Sequence, residues 1–153
     1  MEIPLGFLEG DESGWAAQMA SVPAAQNNIL AVRRVVDIPD PAELADEVVL
    51  SAMQRAAQDV LSRRTSSADT NNVRLAILQL AAYLAYQSYS DRVTHQLPGS
   101  FDQSGVWNPV ASVVVRETQA KLRELKEIAD RAVRAVTTVP DRYPGFAVLM
   151  PFR

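Results

Sequence analysis

The stretch Leu75-Ala76-Ile77-Leu78-Gln79-Leu80-Ala81-Ala82-Tyr83-Leu84-Ala85-Tyr86 carries one amide and no charge in twelve residues. A run of this kind is apolar around its whole circumference if helical, and such a helix belongs inside a bundle or an assembly rather than on its surface. Its alanines allow neighbouring helices to approach closely. Tyr83, Tyr86 and Tyr89 add large apolar faces with a polar tip. The helix is predicted to start between Asp69 and Asn72 and to end between Asp91 and Val93. It falls short of the roughly 18 apolar residues that a membrane span requires, and no other run in the chain reaches that length.

Two further helices flank it. Asp40-Pro41-Ala42-Glu43 offers a side-chain cap, a proline at the first helical position and a glutamate that completes a capping box. Leu44, Val48, Ala52, Ala56 and Val60 then recur at steps of four. This predicts a helix over 41–64, ending at Arg63-Arg64, whose cations suit the C-terminal end of the helix dipole. Asn108-Pro109 is a second cap-proline start. After it Val114, Thr118, Leu122, Leu125, Ala129, Ala132 and Val136 form a seam close to a heptad, predicting a helix over 108–136 about 42 Å long. Its outer face alternates in sign, with Glu117-Lys121, Glu127-Arg131 and Asp130-Arg134 spaced for i,i+4 pairing. That face is either simply solvated or in contact with neighbouring subunits. Residues 94–107 between the second and third helices form a long loop with turn signals at Pro98-Gly99-Ser100 and Ser104-Gly105. Loops of that length are often functional or ordered by a partner, which makes Phe101 and Trp107 candidate contacts.

The two ends read differently. Ile29 to Ile38 is rich in β-branched residues and is bounded by Asn27-Asn28 and Pro39, so a strand is the first expectation and a short helix over 24–36 its rival. The polar break at Glu9 to Gly14 suggests that the first twenty residues form an extended arm anchored by Trp15. At the other end, prolines at 140, 144 and 151 forbid a regular helix, yet Tyr143, Phe146, Leu149, Met150 and Phe152 call for burial. Either this tail folds back over its own bundle or it inserts into a partner. The expected architecture is therefore mainly α: an N-terminal extension (1–39) with a candidate strand, a three-helix bundle (40–138), and an extended C-terminal arm (139–153).

Little in the chain suggests catalysis. There is no cysteine and a single histidine, which excludes disulfides, thiolate chemistry and cysteine-ligated zinc, and leaves no histidine cluster for a metal. The first six residues lack the basic and apolar regions of a signal peptide, so a reducing compartment is expected. His95 has Asp91 four residues before it but no nucleophile motif, and a solvated or helix-capping role is the expectation. Phosphate-cradling glycine loops are absent from the sequence. Residues 1–50 hold nine acids against Arg33 and Arg34, whereas the remainder holds thirteen bases against nine acids, eleven of those bases being arginine. Arginine favours fixed bidentate pairing, as between protein surfaces. Without a basic stripe interleaved with aromatics, nucleic-acid contact is limited to weak phosphate lining by Arg63, Arg64, Arg74 or Arg92.

The order of elements, with a buried helix closing in Tyr86-Gln87-Ser88-Tyr89-Ser90-Asp91-Arg92, resembles the head-to-tail connector adaptor proteins of tailed bacteriophages over roughly residues 41–136. The loop at 94–107 and the extension at 1–39 depart from the smallest members. The resemblance implies a structural virion protein of the neck, assembled in the host cytoplasm: a ring, commonly of twelve copies, that docks between the portal protein and the tail or neck and lines the DNA channel. It implies no enzyme activity, no cofactor and no membrane partner. Under it, Tyr143, Pro144, Phe146, Leu149, Met150, Phe152 and Arg153 form the portal-binding arm, and Arg63, Arg64, Arg92, Phe101, Trp107, Arg123, Arg131 and Arg134 are candidate subunit or channel contacts, with non-specific contact to packaged DNA. The competing reading is a small helical binding or regulatory module of a bacterium with an apolar recruiting tail.

Overall fold

The computed structural model describes residues 6–96 and 109–138. Five helices follow in order: α1 (Trp15–Gln18), α2 (Gln26–Val36), α3 (Asp46–Arg63), α4 (Thr70–Gln96) and α5 (Pro109–Thr137). A single turn of 3-10 helix, Glu12–Gly14, precedes α1. No strand occurs among the described residues. The three long helices of the expected bundle are present; α4 starts at Thr70, inside the expected 69–72 window, and runs three residues past Val93.

Helix α4 lies at the centre, packed along α3 on one side and α5 on the other, while α2 crosses α4 and touches α3. Its apolar circumference follows from this position. Val73, Ala76, Ile77, Leu78, Ala81, Ala82 and Ala85 are fully buried among three neighbours. By contrast α5 buries one stripe, Thr118, Leu125, Ala129, Val133 and Val136, and leaves its charged face in solvent. Thr65 N–H donates to the Val136 carbonyl at 2.9 Å and fastens the end of α5 to the α3–α4 turn.

Residues 26–36 correct the strand expectation. Ala25, Ile29, Val32 and Val36 fall at spacings of four, three and four, and all four are buried. A strand would have aligned Ile29, Ala31, Arg33 and Val35 on one face instead. Packing against α4 rewards the helical stripe over β-propensity, which is a weak and context-dependent preference. The helix ends at Asp37 in the left-handed conformation (φ 60°, ψ 43°), tolerable for aspartate, and its N–H returns to the Arg33 carbonyl at 2.7 Å.

The capping expectation at Asp40 is also corrected. Asp40 does cap a turn, its Oδ1 accepting from Ala42 N–H at 2.9 Å and its carbonyl from Glu43 and Leu44. That turn stops, and α3 begins at Asp46. Arg33 is the physical reason. Its guanidinium, 4% exposed, donates to the Ile38 carbonyl at 3.2 Å and the Leu44 carbonyl at 2.6 Å, and pairs with the Asp46 carboxylate. The Leu44 carbonyl is thereby turned toward α2 rather than into a continuing helix. Leu44 itself is buried.

From Gly6 onward the N-terminal extension is not an extended arm. Phe7, Leu8, Trp15 and Met19 join the same core as the long helices. Leu8 adopts a positive φ of 46°, held by burial and by a 2.8 Å bond from its N–H to Asn28 Oδ1. Gln54 Nε2 donates to the Met19 carbonyl at 2.7 Å, and Arg64 pairs with Glu12, so α3 holds this segment at two points. Trp15 is an anchor, as its sequence context suggests, but of a packed segment.

Candidate interaction surfaces

The arginines singled out by sequence divide into two groups. Arg63 forms a bidentate pair with Asp59 one turn earlier, at 3.0 and 2.7 Å, with both side chains about half exposed. Arg64 is taken by Glu12, and Arg92 reaches the Ala42 carbonyl at 3.3 Å while lying 5.8 Å from the centre of the Tyr89 ring. Arg64 and Arg92 fasten distant parts of the chain to one another, while the Arg63 pair is local to α3. Arg123, Arg131 and Arg134 instead stand exposed on α5, where Arg123 and Arg134 lie three turns apart on nearly one line with Asp130 and Glu127 beside them. Phe101, Trp107 and the arm residues Tyr143 to Arg153 lie outside the described residues.

None of the three expected i,i+4 pairs on α5 closes. Asp130 pairs with Lys126 at 3.2 Å instead, an exposed contact of the kind that contributes at most about 1 kcal/mol. Lys121 turns inward. Its ammonium donates to the Val36 carbonyl at the C-terminal end of α2 and stands 5.1 Å from the centre of the Tyr86 ring. A cation at a helix C-terminus and over an aromatic face is favoured twice. The lysine lines a cleft of about 450 Å³ with Val35, Gln79, Ala120, Glu124, Leu125 and Ile128.

The Tyr86 hydroxyl sits at this α4–α5 crossing. Burial raises its pKa above the ordinary 10.0, a hydrogen bond with Thr118 opposes the rise, and nearby Tyr89 adds to it. Because the folded pKa is raised, the unfolded chain ionises first as pH increases. Stability from this group is therefore intact at neutral pH and is lost as pH rises beyond about 10 through the folded value. Urea titrations at pH 8 and pH 10.5 should show a drop that shrinks in Tyr86→Phe; an equal drop in both proteins would show that Tyr86 plays no part.

His95 does not meet the Asp91 side chain. Its Nδ1 donates to the Asp91 backbone carbonyl at 2.6 Å, a bond within the last turns of α4. No group of three or more potential metal ligands occurs among the described residues, and among them no helix is long and apolar enough to cross a membrane.

A surface that the sequence reading did not single out runs between α3 and α4, lined by no residue of α2. Three adjoining hollows of about 450, 270 and 120 Å³ share lining residues and make one groove. Leu80, Leu84 and Val48, all half-buried, with buried Ala52, supply an apolar floor. Arg55, Gln58, Asp59, Ser62 and Ser88 form a polar rim. The signal in the sequence was the excess of leucine in α4, since Leu80 and Leu84 remain only half-buried and exceed what its neighbours cover.

No family model, curated protein or solved structure matches this chain. The fold places it among mainly helical bundle proteins.

Proposed function

We propose that this protein is a structural adaptor of a tailed-bacteriophage neck, a ring of about twelve copies that joins the portal to the tail or neck protein and docks through its C-terminal arm. The observation that carries the reading is the disproportion between body and tail. The described residues form one core from Phe7 to Val136, and the sequence carries five more large apolar side chains after it, Tyr143, Phe146, Leu149, Met150 and Phe152, which suit a partner's cleft. Two features add support. The long α5 presents an exposed face of mixed sign bearing Arg123, Arg131 and Arg134, suited to neighbouring copies with the complementary pattern and to passing phosphate. The buried α4, with Tyr86 to Arg92 in its last three turns, carries the resemblance to the connector adaptors.

Removing residues 143–153 should abolish docking to the portal while leaving the helical content unchanged, because the change spares the core. Unchanged portal binding by the truncated chain would refute the role of the arm. Negative-stain images of the particle that co-purifies with the chain should show a ring or a virion neck. A stable monomer or dimer in the presence of portal would instead favour a small helical binding module.

A further inference from the structure

We propose that in the free protein the groove between α3 and α4 holds the C-terminal arm of the same chain, with residues 143–152 lying along it in extended conformation. The inference goes beyond the connector reading, because it concerns the chain before any partner is met.

Position and length select this occupant. The groove opens beside the point where α5 ends: Ser62 on its rim is three residues from Thr65, whose N–H holds the Val136 carbonyl at 2.9 Å. From there the groove follows α3 back to its start at Asp46, about 24 Å at 1.5 Å per residue, and ends beside Leu44. Residues 139–153 reach up to about 50 Å when extended, so the arm can round the end of the bundle and still run the full length.

Chemistry selects it as well. Prolines 140, 144 and 151 keep the segment extended and lack the N–H groups that burial would leave unpaired. Phe146, Leu149 and Met150 suit the floor of Leu80, Leu84, Val48 and Ala52. The rim supplies partners for the arm's carbonyls: Arg55 lines two of the hollows and makes no ion pair among the described residues, with Gln58 and Ser88 along the same edge. A partner's cleft for the arm thus has to compete with a site the chain already owns.

The chain contains no cysteine, so engineered pairs report without background. In the full-length protein, Ser62→Cys with Tyr143→Cys and Ser88→Cys with Leu149→Cys join the arm to the two ends of the groove. Leu30→Cys with Leu149→Cys is the control, since Leu30 is 46% exposed on α2 and lines none of the three hollows. Ser62 and Ser88 are themselves exposed, so these changes leave the core intact. Under mild oxidation at low protein concentration, both groove pairs should close within single chains at least about tenfold faster than the control, because a docked arm raises the local thiol concentration. Equal rates in groove and control pairs overturn the proposal. Covalent dimers formed in preference to closed monomers also overturn it, by assigning the groove to the arm of a second copy. Ring formation is read separately by microscopy, so either reading can fail without the other.

Discussion

Leu78→Asp is expected to leave the domain unfolded at room temperature. Leu78 is fully buried in α4, among residues that α2 and α3 enclose. Losing the leucine forfeits about 1.5–3 kcal/mol of burial, and the carboxylate must be buried without a partner or remain protonated at further cost. Together these reach about 5 kcal/mol or more, comparable to the whole stability of an ordinary domain. Far-UV circular dichroism with thermal and urea unfolding reads the result. The same change at half-exposed Leu30 should cost less than about 1 kcal/mol, which separates burial from any general intolerance of a new acid. A melting temperature for Leu78→Asp close to that of the parent would refute the central position of α4.

Arg33→Met is expected to destabilise by about 3–5 kcal/mol, through loss of polar pairing rather than of volume. The guanidinium serves the Ile38 and Leu44 carbonyls and the Asp46 carboxylate, and methionine serves none of them. Asp46→Asn should cost less, about 1 kcal/mol, because Asp46 is partly exposed and the two carbonyl bonds survive. The double variant should therefore be less destabilised than the sum of the two singles, a coupling that a double-mutant cycle measures. Additive losses would show that Arg33 and Asp46 act independently. Hydrogen exchange should localise the defect of Arg33→Met to residues 37–46, which the guanidinium organises.

The three long helices were legible because each is written in local pattern. The uncharged run at 75–86 required neighbours on several sides, and α3 and α5 supply them with α2. Asn108-Pro109 marked the start of α5 at Pro109, and four of the seven seam residues, Thr118, Leu125, Ala129 and Val136, lie in the buried stripe, which Val133 joins. Asp40-Pro41 was an equally good local signal and failed, because Arg33, seven residues earlier and on another helix, takes the Leu44 carbonyl. The lysine at 121 had an acid in the right place at 117 and turned away from it toward the end of α2, a partner 85 positions distant. Long flexible cations choose between neighbours that sequence spacing alone cannot rank.

What the sequence by itself determined, then, is the helical class, the central place of α4, the two-faced character of α5 and the apolar nature of the arm. Each follows from composition and periodicity within a few turns of chain. Only the tertiary structure decided that residues 26–36 are a helix, that the N-terminal segment from Gly6 is core, that Arg33 delays the start of α3, and that a groove lies between α3 and α4. The physical reason is common to all four. A short segment has nearly equal local preferences for several conformations, and the larger free energy of burying its apolar face, or of pairing a buried charge, against residues far away in sequence makes the choice.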